Sequence, residues 1–239
     1  MFILWSVQNP DRNQGEIAVI VDELAPITLI GSGDADAATI ASALALAPVV
    51  VAADGGAVAA LAAGVVPRAV IGDLDSLPEA IRAQLDPATV HPVPEQDSTD
   101  FEKCLQRLRA PLILAIGFTG DRMDHQLAAL SALVRYPAQR CIVIAPGQIA
   151  FLCPPVLSLP VEAGTLVSLY PLGAVRGTSD GLQWPIAGLD FAPDGRVGTS
   201  NCATGPVTLT FDAARMLVIL PRQTLPMAVA ALLAAPARW

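Results

Sequence analysis

Between residues 26 and 146, short apolar runs rich in β-branched residues alternate with Ala- and Leu-rich runs of helical period. Six runs read as strands: "ITLIG" (27–31), "VVVAA" (49–53), "AVIG" (69–72), "TVHPV" (89–93), "LILAIG" (112–117) and "CIVIA" (141–145). Between them, "DAATIASALALA", "GAVAALAAG", "PEAIRAQL", "DFEKCLQRL" and "DHQLAALSALVRY" read as helices. This alternation makes βα units, and hence a mainly parallel sheet covered on both faces. Strands that are apolar throughout, rather than at every second position, agree with burial on both sides.

The texture changes after "FLCPPVLSLP". Residues 151–226 carry Gly and Pro every few positions, with short runs such as "TLVSLYPL", "PVTLTF" and "MLVILP". No long helical pattern returns until "PMAVAALLAA" near the end. The pattern predicts a smaller all-β domain, a sandwich or barrel, beyond a boundary near Cys153–Pro155. The expected fold class is therefore α/β. A mainly parallel-sheet, Rossmann-like domain (27–153) precedes the smaller all-β domain (154–239). Residues 1–26 form an extension that the pattern does not place, although "EIAVIVDEL" fits an extra strand.

Composition narrows the function classes. With 239 residues, 53% hydrophobic and 15% charged, the chain can bury a sizeable core. A net charge of −8 disfavours nucleic acid and anionic membranes as partners, since both need basic patches. It does not disfavour a polyphosphate, provided a metal ion bridges carboxylate and phosphate. The four cysteines, Cys104, Cys141, Cys153 and Cys202, are widely spaced and fit no zinc pattern. The start, "MFILWSVQNPD", has no basic n-region, and the apolar tract 40–66 is broken by Pro48, Asp54, Gly55 and Gly56. A soluble, cytoplasmic protein is the expectation.

The acids fall where a parallel sheet binds ligands, beyond the carboxyl ends of its strands. Five consecutive strand exits read "GSGDAD", "ADGGA", "GDLDS", "EQDSTDFEK" and "GFTGDRMDHQ", and offer Asp34, Asp54, Asp73, Asp75, Asp97, Asp100, Asp121 and Asp124. Any single one reads as a helix N-cap. Capping does not explain the convergence of so many on one rim. Asp73 and Asp75, one residue apart, are placed to aim two carboxylates at one cation. Thr99 and Glu102 have capping-box spacing, and the first turn after them carries Asp100 and Lys103, one suited to metal and one to phosphate. Arg122 suits phosphate oxygens, and Asp124 suits a cap or an outer ligand. His91 and His125 lack a ligand-spaced partner and read as structural. "GSGD" forms neither a Walker loop nor a full dinucleotide fingerprint.

Taken in order, "ADGGA", "GDLDS", "DSTDFEKCL" and "GFTGDRMDH" resemble the thiamine pyrophosphokinase family, as do the later "GLQWPI" (181–186) and "GTSN" (198–201). The resemblance covers roughly residues 27–222. It implies an α/β domain with a C-terminal β-sandwich, a homodimer, and transfer of pyrophosphate from ATP to the hydroxyl of thiamine, giving AMP and thiamine diphosphate. It also implies roles. Asp73, Asp75 and Asp100 become Mg²⁺ and ATP-phosphate residues. Gln96, Thr99, Lys103, Arg122 and Asp124 line the nucleotide or the transferred group, and Asp54 belongs to the same rim. Trp184, Ser200 and Asn201 fall where the family holds thiamine. Asp75 and Asp100 both remain candidates to accept the alcohol proton. The long extension and the Ala-rich helix after strand one depart from the family pattern.

Three other readings compete. A related diphosphokinase acts on a pterin alcohol with a similar acid pair. A DxD glycosyltransferase uses the pair for a metal and a sugar nucleotide, without acids on strands four and five. A nucleotide-sensing module needs the acids but no turnover.

Overall fold

A computed structural model describes residues 17–236 and 238–239 of the chain. Its elements follow the predicted alternation: β1 (Val21–Asp22), β2 (Ile27–Ile30), α1 (Ala37–Leu44), β3 (Val49–Ala53), α2 (Gly56–Ala62), β4 (Ala69–Gly72), α3 (Glu79–Arg82) and β5 (Val90–Pro92). Then come α4 (Asp100–Arg107), β6 (Leu108–Arg109), β7 (Ile113–Ile116), α5 (Met123–Arg135), β8 (Cys141–Ile144) and β9 (Gln148–Leu152). The remainder is β10 (Val156–Leu159), β11 (Leu166–Pro171), β12 (Val175–Leu182), β13 (Asp190–Phe191), β14 (Gly198–Phe211), β15 (Met216–Pro221) and α6 (Leu225–Ala234).

The six predicted strands lie side by side and parallel, in the order β8-β7-β2-β3-β4-β5. From β2 the chain steps outward to β5, then crosses to the other side of β2 to make β7 and β8. The strand order thus reverses between β2 and β7, and that crevice is where a doubly wound sheet binds its ligand. β2, β4, β7 and β8 are buried at every residue, which is why their sequences are apolar without alternation. Polar side chains cap the starts of α1 and α4. Asp36 accepts from the Thr39 N–H at the head of α1, and Thr99 and Glu102 close a capping box on α4.

The sheet does not stop at the change of texture. β9 runs antiparallel to β8, and β15, from the far end of the chain, runs antiparallel to β9. The path continues through β11, β14, β12 and β13, giving one mixed sheet of 13 strands with β10 paired to β14. β14 is long because it serves two neighbourhoods. Near Gly198–Cys202 it pairs with β11, and near Val207–Phe211 it lies between β10 and β12. One apolar core accordingly spans both halves, from Ile30, Leu114 and Ile144 to Phe151, Val218 and Leu232. A second core, with Leu29, Ile71, Phe101, Leu105 and Leu133, covers the opposite face under α4 and α5.

Of the suggested extra strand "EIAVIVDEL", Val21–Asp22 pairs in parallel with β6, and Val21 is buried. Residues 1–16 of the extension lie outside the described residues. Among the described residues no helix is long and apolar enough to cross a membrane.

Candidate active site

A cleft of about 540 Å³ opens at the point where the strand order reverses. Its walls are the loops after β2 (Gly31–Asp34) and β7 (Gly117–Arg122), together with Asp73, Ser76, Gln96, Thr99, Asp100 and Lys103. The two loops meet backbone to backbone. A Cβ on Gly33 would sit 2.7 Å from the Gly117 carbonyl oxygen, and Gly117 itself has φ +76°. Side chains there would force the loops apart, so the glycines of "GSGD" and "GFTG" set the cleft's floor.

The acids gather on one side of this cleft. Because β3 and β4 are neighbours, the exits of both strands come together, and Asp54 meets Asp73 and Asp75. One oxygen of each lies within 4.8 Å of the other two. Asp54 is 1% exposed, and the Ser76 N–H donates to its Oδ2 at 3.1 Å. Its Oδ1 is buried with no partner. Burial, aided by the charges of Asp100, Asp73 and Asp75, pushes its pKa to about 6, against the opposing pull of the Ser76 N–H. Asp54 and Leu74, between the other two acids, both hold left-handed backbone, φ +46° and +67°. Such conformations are costly for side-chain-bearing residues and concentrate at functional sites.

Asp73 is the hub of the cluster. Its Oδ1 accepts from the Asp75 N–H at 3.3 Å. Its Oδ2 accepts from Gln96 Nε2 at 3.0 Å and from Lys103 Nζ at 2.9 Å. Burial raises its pKa, but these donors outweigh burial and hold the carboxyl below its ordinary range. Lys103 is 1% exposed and also donates to Asp100 Oδ1 at 3.0 Å. Burial alone would lower its pKa, yet the two carboxylates keep it above the usual lysine value. Asp75 is exposed and accepts from the Ser76 hydroxyl at 2.9 Å.

The sequence-predicted residues are thus brought together unevenly. Asp54, Asp73 and Asp75 form the carboxylate triplet, whereas Asp100 turns toward Lys103. Gln96, Thr99, Lys103 and Arg122 line the cleft. Asp124 is engaged at the surface, where Arg122 donates to it at 2.6 Å. Sequence reasoning did not single out Ser76, Phe101 and Phe118, which also line the cleft; the two rings are 4.4 Å apart. Phe118 directly follows the glycine at the exit of β7, and that position was the available signal. His125, read as structural, lines the cleft as well.

Among the described residues, none after Ala129 lines the cleft. Trp184, Ser200 and Asn201 sit elsewhere, where β12 and β14 lie side by side. Trp184 is 56% exposed, Ser200 has φ +61°, and Asn201 is buried.

Two family models match the chain. Residues 40–145 match the thiamin pyrophosphokinase catalytic domain, and residues 156–216 match its vitamin B1 binding domain. Together they cover well over half of the chain. The chain belongs to the thiamin pyrophosphokinase family. Among its relatives in the family, thiamine pyrophosphokinase 1 of Arabidopsis thaliana is 27% identical over 56% of this chain and 58% of its own length. Thiamine pyrophosphokinase 3 of Oryza sativa subsp. japonica is 27% identical over 62% and 63%. The chain therefore matches less than two thirds of the length of either. In fold it resembles the thiamin pyrophosphokinase of Geobacillus thermodenitrificans (TM-score 0.68, 23% identity, 82% of this chain and 97% of that one). The Candida albicans thiamin pyrophosphokinase is similarly related (TM-score 0.69, 15% identity, 88% and 95%). The mixed α/β fold is common to them.

Proposed function

We propose that this protein transfers the terminal pyrophosphate of ATP to the hydroxyl of thiamine, releasing AMP and thiamine diphosphate. The observation that carries the reading is the triplet Asp54, Asp73 and Asp75 beside a cleft at the strand-order reversal, in a chain matched by both family domains. The pterin, glycosyltransferase and sensor readings have no comparable support.

The triplet suits a divalent cation. Asp54 Oδ1 is buried, lacks any donor, and faces two further carboxylates, an arrangement of hard oxygen ligands for Mg²⁺. When bound, Mg²⁺ would neutralise phosphate charge and favour attack at phosphorus. The protein's part is positioning and electrostatics. Arg122 and Lys103 offer positive charge to phosphate oxygens along the cleft, and the Gly33–Gly117 floor leaves room for the nucleotide. Gln96 orients Asp73, and Thr99 starts the helix that presents Asp100 and Lys103. Asp100, outside the triplet and open to the cleft, takes the hydroxyl proton as the thiamine oxygen bonds to the β-phosphorus. The bond from that phosphorus to the α-bridging oxygen breaks, and AMP leaves.

Thiamine is held by Trp184 and Ser200, the exposed aromatic ring stacking on a cationic heterocycle. These residues belong to the second of two functional domains, 27–153 and 154–239, the latter a β-sandwich. Since they do not line the cleft of their own chain, the reading is a homodimer in which one subunit's acids meet its partner's thiamine residues. The four cysteines are free, in keeping with a reducing cytoplasm. Incubation with ATP, Mg²⁺ and thiamine, with AMP and thiamine diphosphate quantified, tests the activity. Equal AMP without thiamine, or no thiamine diphosphate, overturns it.

A further inference from the structure

Two buried polar side chains, Asn201 and Ser168, hold the backbone of Trp184 and of Ser200. Asn201 is 5% exposed, and its amide is almost fully used. Its Oδ1 accepts from the N–H groups of Trp184 (3.2 Å) and Cys202 (2.9 Å), and its Nδ2 donates to the Trp184 carbonyl at 2.7 Å. An asparagine amide has two acceptor sites and two donor hydrogens, so one hydrogen is left. The neighbouring Gln183 N–H makes an ordinary backbone bond to the Cys202 carbonyl at 2.8 Å. At the next step the side chain of Asn201 stands in for the backbone and grips Trp184 on both its N–H and its carbonyl.

Ser168 does a matching task on the other side of β14. Leu166 pairs with Cys202 and Val167 with Asn201, but Leu169 pairs with Gly198. β14 therefore carries one residue more than β11 over this interval, a β-bulge. At the bulge Ser200 takes its left-handed backbone, and its N–H donates to Ser168 Oγ at 2.9 Å. Ser168, itself buried, replaces the partner that the broken register removes.

The geometry points to Asn201 and Ser168 as positioning residues. They fix the backbone of Trp184 and Ser200 so that both side chains stand outward, and neither touches substrate. This departs from the role in thiamine contact that the family resemblance implies for Asn201, and it rests on the proposed role of Trp184 in the thiamine site. A direct ligand would keep its polar atoms for the ligand; Asn201 has given three of its four to the protein.

The test begins without any ligand. The full chain is labelled with 5-fluorotryptophan, and the Trp184 resonance is assigned in the ¹⁹F spectrum with Trp184→Phe. Asn201→Ala should shift or broaden the Trp184 resonance and leave that of Trp239 in place. Ser168→Ala, which removes a single hydroxyl, should move it less and carries the test if Asn201→Ala does not fold. In turnover the thiamine KM should rise about three- to tenfold, the scale of one or two lost hydrogen bonds. The KM for ATP and kcat should change less than about twofold, since the cleft is untouched. A Trp184 resonance unmoved in both variants overturns the proposal, whatever the kinetics. A moved resonance with an unchanged thiamine KM upholds the positioning role and removes Trp184 from the thiamine site instead.

Discussion

Lys103 Nζ lies 2.9 Å from Asp73 Oδ2 and 3.0 Å from Asp100 Oδ1, so one buried cation ties two strand exits of the acid rim together. Without it, four carboxylates (Asp54, Asp73, Asp75 and Asp100) would repel one another around one wall of the cleft. Removing one member of a buried ion pair leaves uncompensated charge, typically at a cost of about 3–5 kcal/mol. Lys103→Met keeps most of the volume and loses the charge. Urea unfolding should show a loss toward the lower end of that range, because Asp100 is partly open to solvent, and turnover should drop at least about a hundredfold. Unaltered stability would mean that the pair does not hold the rim.

Asp54 makes stability depend on pH. Its folded pKa, about 6, lies above the ordinary aspartate value of 3.8, so the folded state holds its proton more tightly than the unfolded chain. The metal-free protein should therefore be most favoured, as far as this group is concerned, below about pH 4. It should lose that contribution as pH rises to 6. Asn fits the left-handed backbone and keeps an acceptor for Ser76. Asp54→Asn should accordingly raise the melting temperature of metal-free protein at pH 7.5 by a few degrees, a gain of order 1–3 kcal/mol. The gain should vanish near pH 4, and the variant should lose activity. A variant less stable at pH 7.5 contradicts the strained, desolvated carboxylate.

Asp75 is the exposed member of the triplet, so its charge contributes little to folding. Asp75→Asn should melt within about a degree of the wild type while kcat falls at least about a hundredfold, as when a transition-state electrostatic group is removed. Near-normal turnover at low Mg²⁺ would count against its place in the metal site.

Trp184 exposes more than half of its surface, which sets the outcome of Trp184→Ala. A core tryptophan would cost about 3–5 kcal/mol when truncated. This one should leave the melting curve nearly unchanged, weaken thiamine binding, and spare ATP binding. Paired titrations and one melt decide it; a large fall in melting temperature with both ligands weakened contradicts the ligand role.

Asp75→Asn and Trp184→Ala also test the shared site. In the proposed homodimer, dissociation and reassociation of the two variants should make about half of the dimers mixed, each with one intact site if sites are built across the interface. Roughly a quarter of wild-type activity should then return. Activity no higher than the sum of the parents, after proven subunit exchange, refutes the composite site.

Periodicity was enough to place the parallel strands, because strands buried on both faces leave a continuous apolar mark that local chemistry writes directly. The acids were legible for the same reason, since the polar residue after such a strand must lie at the rim. What periodicity cannot carry is which strand lies beside which. Asp54 joins Asp73 and Asp75 only because β3 pairs with β4, and Lys103 reaches Asp73 only because α4 packs beneath that edge. The change of texture at residue 153 was visible, but the pairing of β9 with β15 across some seventy residues was not, and it makes one sheet of both halves. The side-chain grip of Asn201 on Trp184 and the bulge opposite Ser168 were equally silent, since both depend on the register between strands far apart in the chain. Residue types and their spacing determined the elements and the chemistry on offer; long-range pairing, which no local pattern encodes, decided which groups meet.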